Sequence, residues 1–147
     1  MNVLSTRLLA PLSLALALIA SPLASHAEAL APPEADQVRD VILAQIQALA
    51  DDDADRMFQT TTPAVREAIG SSGRFLAMVR GAYPMVYQPL SVTFQKPEKD
   101  GEAVLQMVQV TDQEERSWLA VFVLEQQADK SWGISGCAVA QNPWTPI

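Results

Sequence analysis

The chain has 147 residues, 49% of them hydrophobic and 18% charged, with a net charge of −7, one Cys and one His. That profile excludes an intrinsically disordered chain, a disulfide-stapled scaffold and a zinc module built on Cys and His. The acidic balance also argues against a basic nucleic-acid surface, so no nucleic-acid partner is expected.

Residues 1–27 read as an export leader. Arg7 supplies the only charged side chain of the segment, Leu8 to Leu23 is an apolar run, and Ser25-His26-Ala27 places small residues at the two positions a signal peptidase reads. Cleavage is expected after Ala27. The uncharged stretch from Leu8 to Ala27 is about long enough to span a bilayer, but Pro11 and Pro22 interrupt it, which favours a removed leader over a retained anchor. With no Cys near the junction, a lipid-anchored form is not expected. The expected product is a soluble periplasmic or secreted protein with no stable membrane insertion.

Removing the leader leaves 120 residues, room for one domain, and takes the charge to −8 because every acid lies after Ala27. It also removes His26, the only histidine. Ser-His-Asp and Cys-His nucleophilic machinery, a His general base and His-ligated metal are lost together. No metal and no cofactor are expected. Cys137 then has no intramolecular partner, and its neighbours from Trp132 to Val139 read as a strand of mostly small side chains. It is either a small buried hydrophobe, a reactive thiol or one half of an intermolecular disulfide.

Residues 28–35 read as a short flexible lead containing Pro32-Pro33, with Asp36 as a helix cap. Val38, Val41, Ile42, Ile46 and Leu49 then recur at three- and four-residue steps, which predicts a helix ending near Ala50. The run Asp51-Asp52-Asp53-Ala54-Asp55 resembles the start of a calcium loop, but the sixth position is Arg56 instead of glycine and the twelfth is Thr62 instead of glutamate. It reads as a connection whose carboxylates face the positive end of a short helix carrying Met57 and Phe58. Thr62-Pro63 starts a third helix that Gly70 stops, and Ser71 or Ser72 caps a fourth bearing Phe75, Leu76, Met78, Val79 and Ala82, ended by Gly81 and Pro84.

Beyond Pro84 the pattern alternates. Leu90, Val92 and Phe94 mark one strand, followed by a turn at Lys99-Asp100-Gly101. Ala103 to Thr111, Ser117 to Glu125 and Ser131 to Ala140 are the next three, joined by the short links Asp112 to Arg116 and Gln126 to Lys130. Such links imply antiparallel hairpins. The domain, residues 36–141, is therefore expected to be α+β: N-terminal helices packed on a curved four-stranded antiparallel sheet, with residues 142–147 as a tail containing Trp144.

The middle strands are apolar on both faces. Trp118, Ala120, Phe122 and Leu124 alternate with Leu119, Val121 and Val123, while Val104, Val108 and Val110 alternate with Leu105 and Met107. Helices can cover only one of the two faces. A homodimer paired through the other is expected.

Gln45, the Asp52-Asp53 region, Phe58, Thr62-Pro63, Phe75 to Val79, Tyr83 to Tyr87, Gln106 to Val110, Trp118-Leu119-Ala120 and Trp132 to Cys137 resemble the exported bacterial family called domain of unknown function 4864. The likeness spans about Ala35 to Val139 and names no chemistry. The element order is also similar to the cone-like folds of nuclear transport factor 2 and ketosteroid isomerase, which implies helices on the concave side of the sheet and a dimer. One departure is the hairpin at Gln113-Glu114-Glu115, where the family usually carries glycine.

A cone of this kind can hold a pocket, and the candidate lining residues are Gln45, Phe58, Phe75, Met78, Tyr83, Tyr87, Gln106 and Phe122. Isomerase-like chemistry would need a carboxylate inside the sheet facing the tyrosines, and Glu125, near a turn, is the only strand carboxylate. No catalytic residue is therefore assigned. The expected function is non-enzymatic binding of a small apolar ligand or a partner protein. The alternatives are a dimeric interaction module without a pocket and an acid–base enzyme.

Overall fold

In the computed structural model, which describes residues 28–142, the first helix is α1 (Pro32–Ala50), and its buried stripe is Val38, Ile42, Gln45, Ala48 and Leu49. The expected leader and the Trp144 tail lie outside the described residues. Helix α1 begins at Pro32, not after Asp36, because proline is tolerated in a first turn where its missing N–H costs no bond. The preceding segment is held to the domain, which corrects the flexible lead expected at residues 28–35. Ala29 pairs antiparallel with Glu98, the Lys99 N–H donates to the Glu28 carbonyl at 3.2 Å, and Leu30 is buried in the core.

The remaining helices are α2 (Ala54–Gln59), α3 (Pro63–Ile69) and α4 (Ser72–Ala82), followed by a 3₁₀ turn, Pro84–Val86. These three α-helices have side-chain caps, as α1 does not: Asp53 accepts from the Arg56 N–H, Thr62 from Val65 and Ser71 from Arg74. Among the described residues no helix is long and apolar enough to cross a membrane.

The sheet contains β1 (Ser91–Phe94), β2 (Glu98–Asp100), β3 (Ala103–Thr111), β4 (Ser117–Gln126) and β5 (Trp132–Gln141). Its antiparallel order is β1-β3-β4-β5, with β2 also paired to β3. The α+β architecture is as expected, with one short strand added where a turn at Lys99-Asp100-Gly101 was predicted. Phe94 pairs with Val108 and Glu98 with Leu105, so Gln95, Lys96 and Pro97 stand opposite Gln106 and Met107 alone. Pro97 cannot donate to the ladder, and the edge bends there. Gln106 fills the gap: its amide donates to the Gln95 carbonyl at 2.7 Å and to the Met107 carbonyl at 2.9 Å.

One sheet face meets α1. Val104, Val108, Val110, Ala120, Phe122 and Leu124 join Val38 and Ile42 in the larger apolar cluster. A second cluster, Ala48, Leu49, Met57, Phe75 and Val79, sits among the helices. On the opposite sheet face, pairing aligns Leu105 with Val123 and Gly136, Met107 with Val121 and Ala138, and Gln109 with Leu119 and Ala140. No charged side chain occupies these positions, and Leu105, Met107, Leu119, Val121 and Val123 are each partly exposed.

The β3–β4 hairpin manages without glycine. Glu115 takes the left-handed conformation at φ 62°. Asp112 holds the turn, because Oδ1 accepts from the N–H groups of Glu114 and Arg116, while Oδ2 accepts from Arg116 Nε at 2.8 Å and Trp118 Nε1 at 2.7 Å. Burial pushes this carboxyl upward, and the hydrogen bonds from Trp118 and Arg116 outweigh it, so Asp112 sits below its ordinary value of 3.8. A lowered native pKa stabilises the fold fully above the unfolded value and loses that contribution as pH falls through the native one. In thermal melts from pH 7 to pH 2, Asp112→Asn should lower Tm at neutral pH, with the gap to the unmodified protein narrowing as pH falls below the ordinary aspartate range. A gap that stays constant across that range would exclude the carboxylate as its source.

The helical layer is tied to β5 by two backbone bonds. Ile134 N–H donates to the Thr60 carbonyl at 2.9 Å, and Thr62 N–H donates to the Ile134 carbonyl at 3.0 Å. Gly133 lets the chains approach this closely, since a Cβ there would meet Thr62 Cγ2 at 3.0 Å and Thr62 Cα at 3.3 Å. Gly133→Ala should therefore cost about 1–3 kcal/mol by overpacking. In urea this appears as a lower midpoint with an unchanged slope; an unchanged midpoint would mean that the strap yields freely.

Candidate functional site

The two apolar clusters do not close on each other. They leave a cavity of about 260 Å³ walled by Leu49, Met57, Phe75 and Val79 from the helices and by Val110, Phe122, Ile134, Cys137 and Val139 from the sheet. Tyr83, Val86 and Pro89, in the connection from α4 to β1, close one side. An engineered apolar cavity of about 150 Å³ holds benzene, so this space suits a molecule of roughly ten non-hydrogen atoms. Met78 lines the cavity and is 48% exposed, which places it at the mouth.

A β-bulge shapes the sheet wall. Leu124 pairs with Ile134 but Val123 pairs with Gly136, leaving Ser135 as the extra residue. The bulge brings Ser135, Gly136 and Cys137 all into the lining. Burial pushes the Cys137 thiol up to about 12. It is therefore protonated at neutral pH, the state of an apolar wall group and not of a nucleophile.

No charged residue lines the cavity; its polar side chains are Gln45, Thr61, Tyr83 and Ser135. Gln45 donates from Nε2 to Thr60 Oγ1 at 2.9 Å, and Thr60 in turn donates to the Met57 carbonyl at 2.6 Å. Thr61 donates to the Phe58 carbonyl and Ser135 to the Val123 carbonyl. Two hydroxyls of the wall thus give their protons to the backbone and turn lone pairs outward.

Five of the residues singled out from the sequence meet here: Gln45, Phe75, Met78, Tyr83 and Phe122. Three do not. Phe58 stands behind Phe75, ring centroids 5.8 Å apart, because α2 turns that side chain toward α4. Gln106 is taken up by the corner of the edge strand. Tyr87 leans outward: its hydroxyl donates to Asp52 at 3.2 Å, with Arg80 lying 4.9 Å over its ring and 3.3 Å from the same carboxylate. This tyrosine–carboxylate pair is the arrangement an acid–base enzyme would need, but Asp52 is about half exposed and outside the cavity lining.

The other carboxylates of the acidic run diverge. Asp53 caps α2, Asp51 meets Gln47 and Arg56, and Asp55 accepts from Ser72. Among the described residues no group of three Asp, Glu, His or Cys is arranged to hold a metal ion. The wall residues that sequence reasoning missed on β5, Ser135, Cys137 and Val139, were hidden by the bulge, which breaks simple alternation. Val79 and Val110 did lie on predicted inward faces.

Among the solved structures similar to the chain, two serve as examples. One is an NTF-2 like protein of unknown function from Burkholderia xenovorans LB400, with 13% identity and a TM-score of 0.46, covering 76% of this chain and 88% of that one. The other is a protein from Kribbella flavida DSM 17836, with 16% identity and a TM-score of 0.43, covering 71% of this chain and 86% of that one. No curated protein matches the chain. Likenesses this distant leave function to the site itself. Residues 31–147 match the family described as Domain of unknown function (DUF4864), and the chain belongs to that family.

Proposed function

We propose that this domain binds a small, uncharged, largely apolar molecule in the cavity between helices and sheet, outside the cytoplasm after loss of residues 1–27, and that it does so as a homodimer. The observation that carries the binding reading is a cavity of about 260 Å³ whose lining has no charged side chain. Left empty, such a space forfeits dispersion contacts, and an apolar guest restores them. A ligand bound only by the native state raises the melting temperature in proportion to the logarithm of its concentration. Propylbenzene should raise Tm in this way. Val139→Phe, which fills part of the space, should abolish the shift while leaving the protein folded. A Tm indifferent to propylbenzene up to its solubility limit would contradict the reading.

The dimer rests on the outer sheet face. Its centre, Met107, Val121 and Ala138, is apolar, and on β3, β4 and β5 the aligned rows to either side of it carry no charge, with Glu98 of β2 at the rim of the Leu105 row, so two copies of an acidic chain can meet through the centre of this face. Hiding a few hundred Å² of apolar surface per subunit at about 25 cal/mol per Å² offsets several kcal/mol of association cost. Sedimentation equilibrium at micromolar concentration should give twice the monomer mass, and Val121→Glu should halve it without loss of helix or sheet signal. A monomeric unmodified protein would remove this part of the proposal.

A further inference from the structure

Resting on the cavity-binding reading above, we infer that the bound molecule is a neutral hydrogen-bond donor, a hydroxyl-bearing hydrophobe, and that Gln45 is the residue that selects it. Gln45 is 8% exposed and lines the cavity. Which end of its amide faces Thr60 follows from where the protons go. The Thr60 hydroxyl gives its hydrogen to the Met57 carbonyl at 2.6 Å, so toward Gln45 it offers only a lone pair, and Gln45 must present Nε2. The amide oxygen is thereby turned away from Thr60, and it accepts no hydrogen bond from any described residue. It is not sealed in protein either, since Trp132 Nε1 is the sole occluded side-chain polar atom without a partner among the described residues.

The rest of the wall agrees. Thr61 and Ser135 also spend their protons on backbone carbonyls, which leaves Tyr83 as the one lining hydroxyl with its proton uncommitted. A hydroxyl on the guest can donate to the Gln45 oxygen. An ether or ketone oxygen has no proton to give it, so the Gln45 oxygen stays unmet whatever such a guest accepts from the second Nε2 hydrogen or from Tyr83. A carboxylate would add an uncompensated buried charge.

The test compares propylbenzene, 4-propylphenol, 4-propylanisole and 4-propylbenzoate by calorimetric titration. The phenol should bind about five- to tenfold more tightly than propylbenzene or the anisole, the worth of one net hydrogen bond, and the benzoate should not bind measurably. Gln45→Met should erase the phenol's advantage, read as the ratio of phenol to propylbenzene affinity within the variant. Thr60→Val, which frees the amide to rotate, should narrow the phenol-to-anisole ratio, a readout that a merely structural role for Thr60 would not move. Should Gln45→Met not fold, the Thr60→Val ratio decides alone. Propylbenzene binding with no preference for the phenol, or a preference that survives both substitutions, overturns the selectivity and leaves the cavity-binding reading intact. Failure of every probe to bind overturns both.

Discussion

The double backbone strap between the Thr60–Thr62 segment and Ile134 is the contact on which the rest of the arrangement depends. It is the point where the helical layer hydrogen-bonds to the sheet, and it acts at the edge strand β5, one residue before the bulge at Ser135. Backbone bonds of this kind hold position more narrowly than side-chain packing, because they leave two chains no freedom to slide. Gly133 sets how close the approach can be. The same segment satisfies the exposed backbone of an edge strand, which would otherwise invite pairing with another chain.

With the helices anchored at that edge and α1 packed through Val38 and Ile42, the second cluster, around Leu49, Met57, Phe75 and Val79, stands off from the sheet. The cavity is the result of two cores that are each closed internally but not joined. Interiors normally pack to crystal-like density, so a lasting gap between two good cores is itself informative. Its chemistry is set by the straps too: Thr60 and Thr61 lie where α2 hands over to α3, and their hydroxyls are committed to the carbonyls of Met57 and Phe58. A segment that pins the fold therefore also decides which polar atoms the cavity shows.

Much of the architecture was legible from pattern. The stripe of α1, the caps at Thr62 and Ser71, the switch to alternation after Pro84 and the apolar character of both sheet faces all follow from residue type and spacing, because each depends on neighbours within a few positions. Less of the site could be read. Gln45 and Gln106 looked alike, each an amide on an apolar face, yet one borders the cavity and the other mends a corner forced by Pro97. Tyr83 and Tyr87 also looked alike, and only one turns inward. The difference in each pair lies in partners far along the chain: Thr60 for Gln45, Gln95 for Gln106, Asp52 for Tyr87.

Sequence alone determined the order of layers, the strand count to within the short β2, the inward faces and the lack of a histidine after position 26, since these are matters of composition and local period. Tertiary structure decided that a space remains between the two clusters, that the β5 bulge brings Ser135, Gly136 and Cys137 to its wall, and that the acidic run spends its carboxylates on separate partners. The reason is that a cavity is a mismatch between surfaces supplied by segments distant in the chain, and no local period records how well two such surfaces fit.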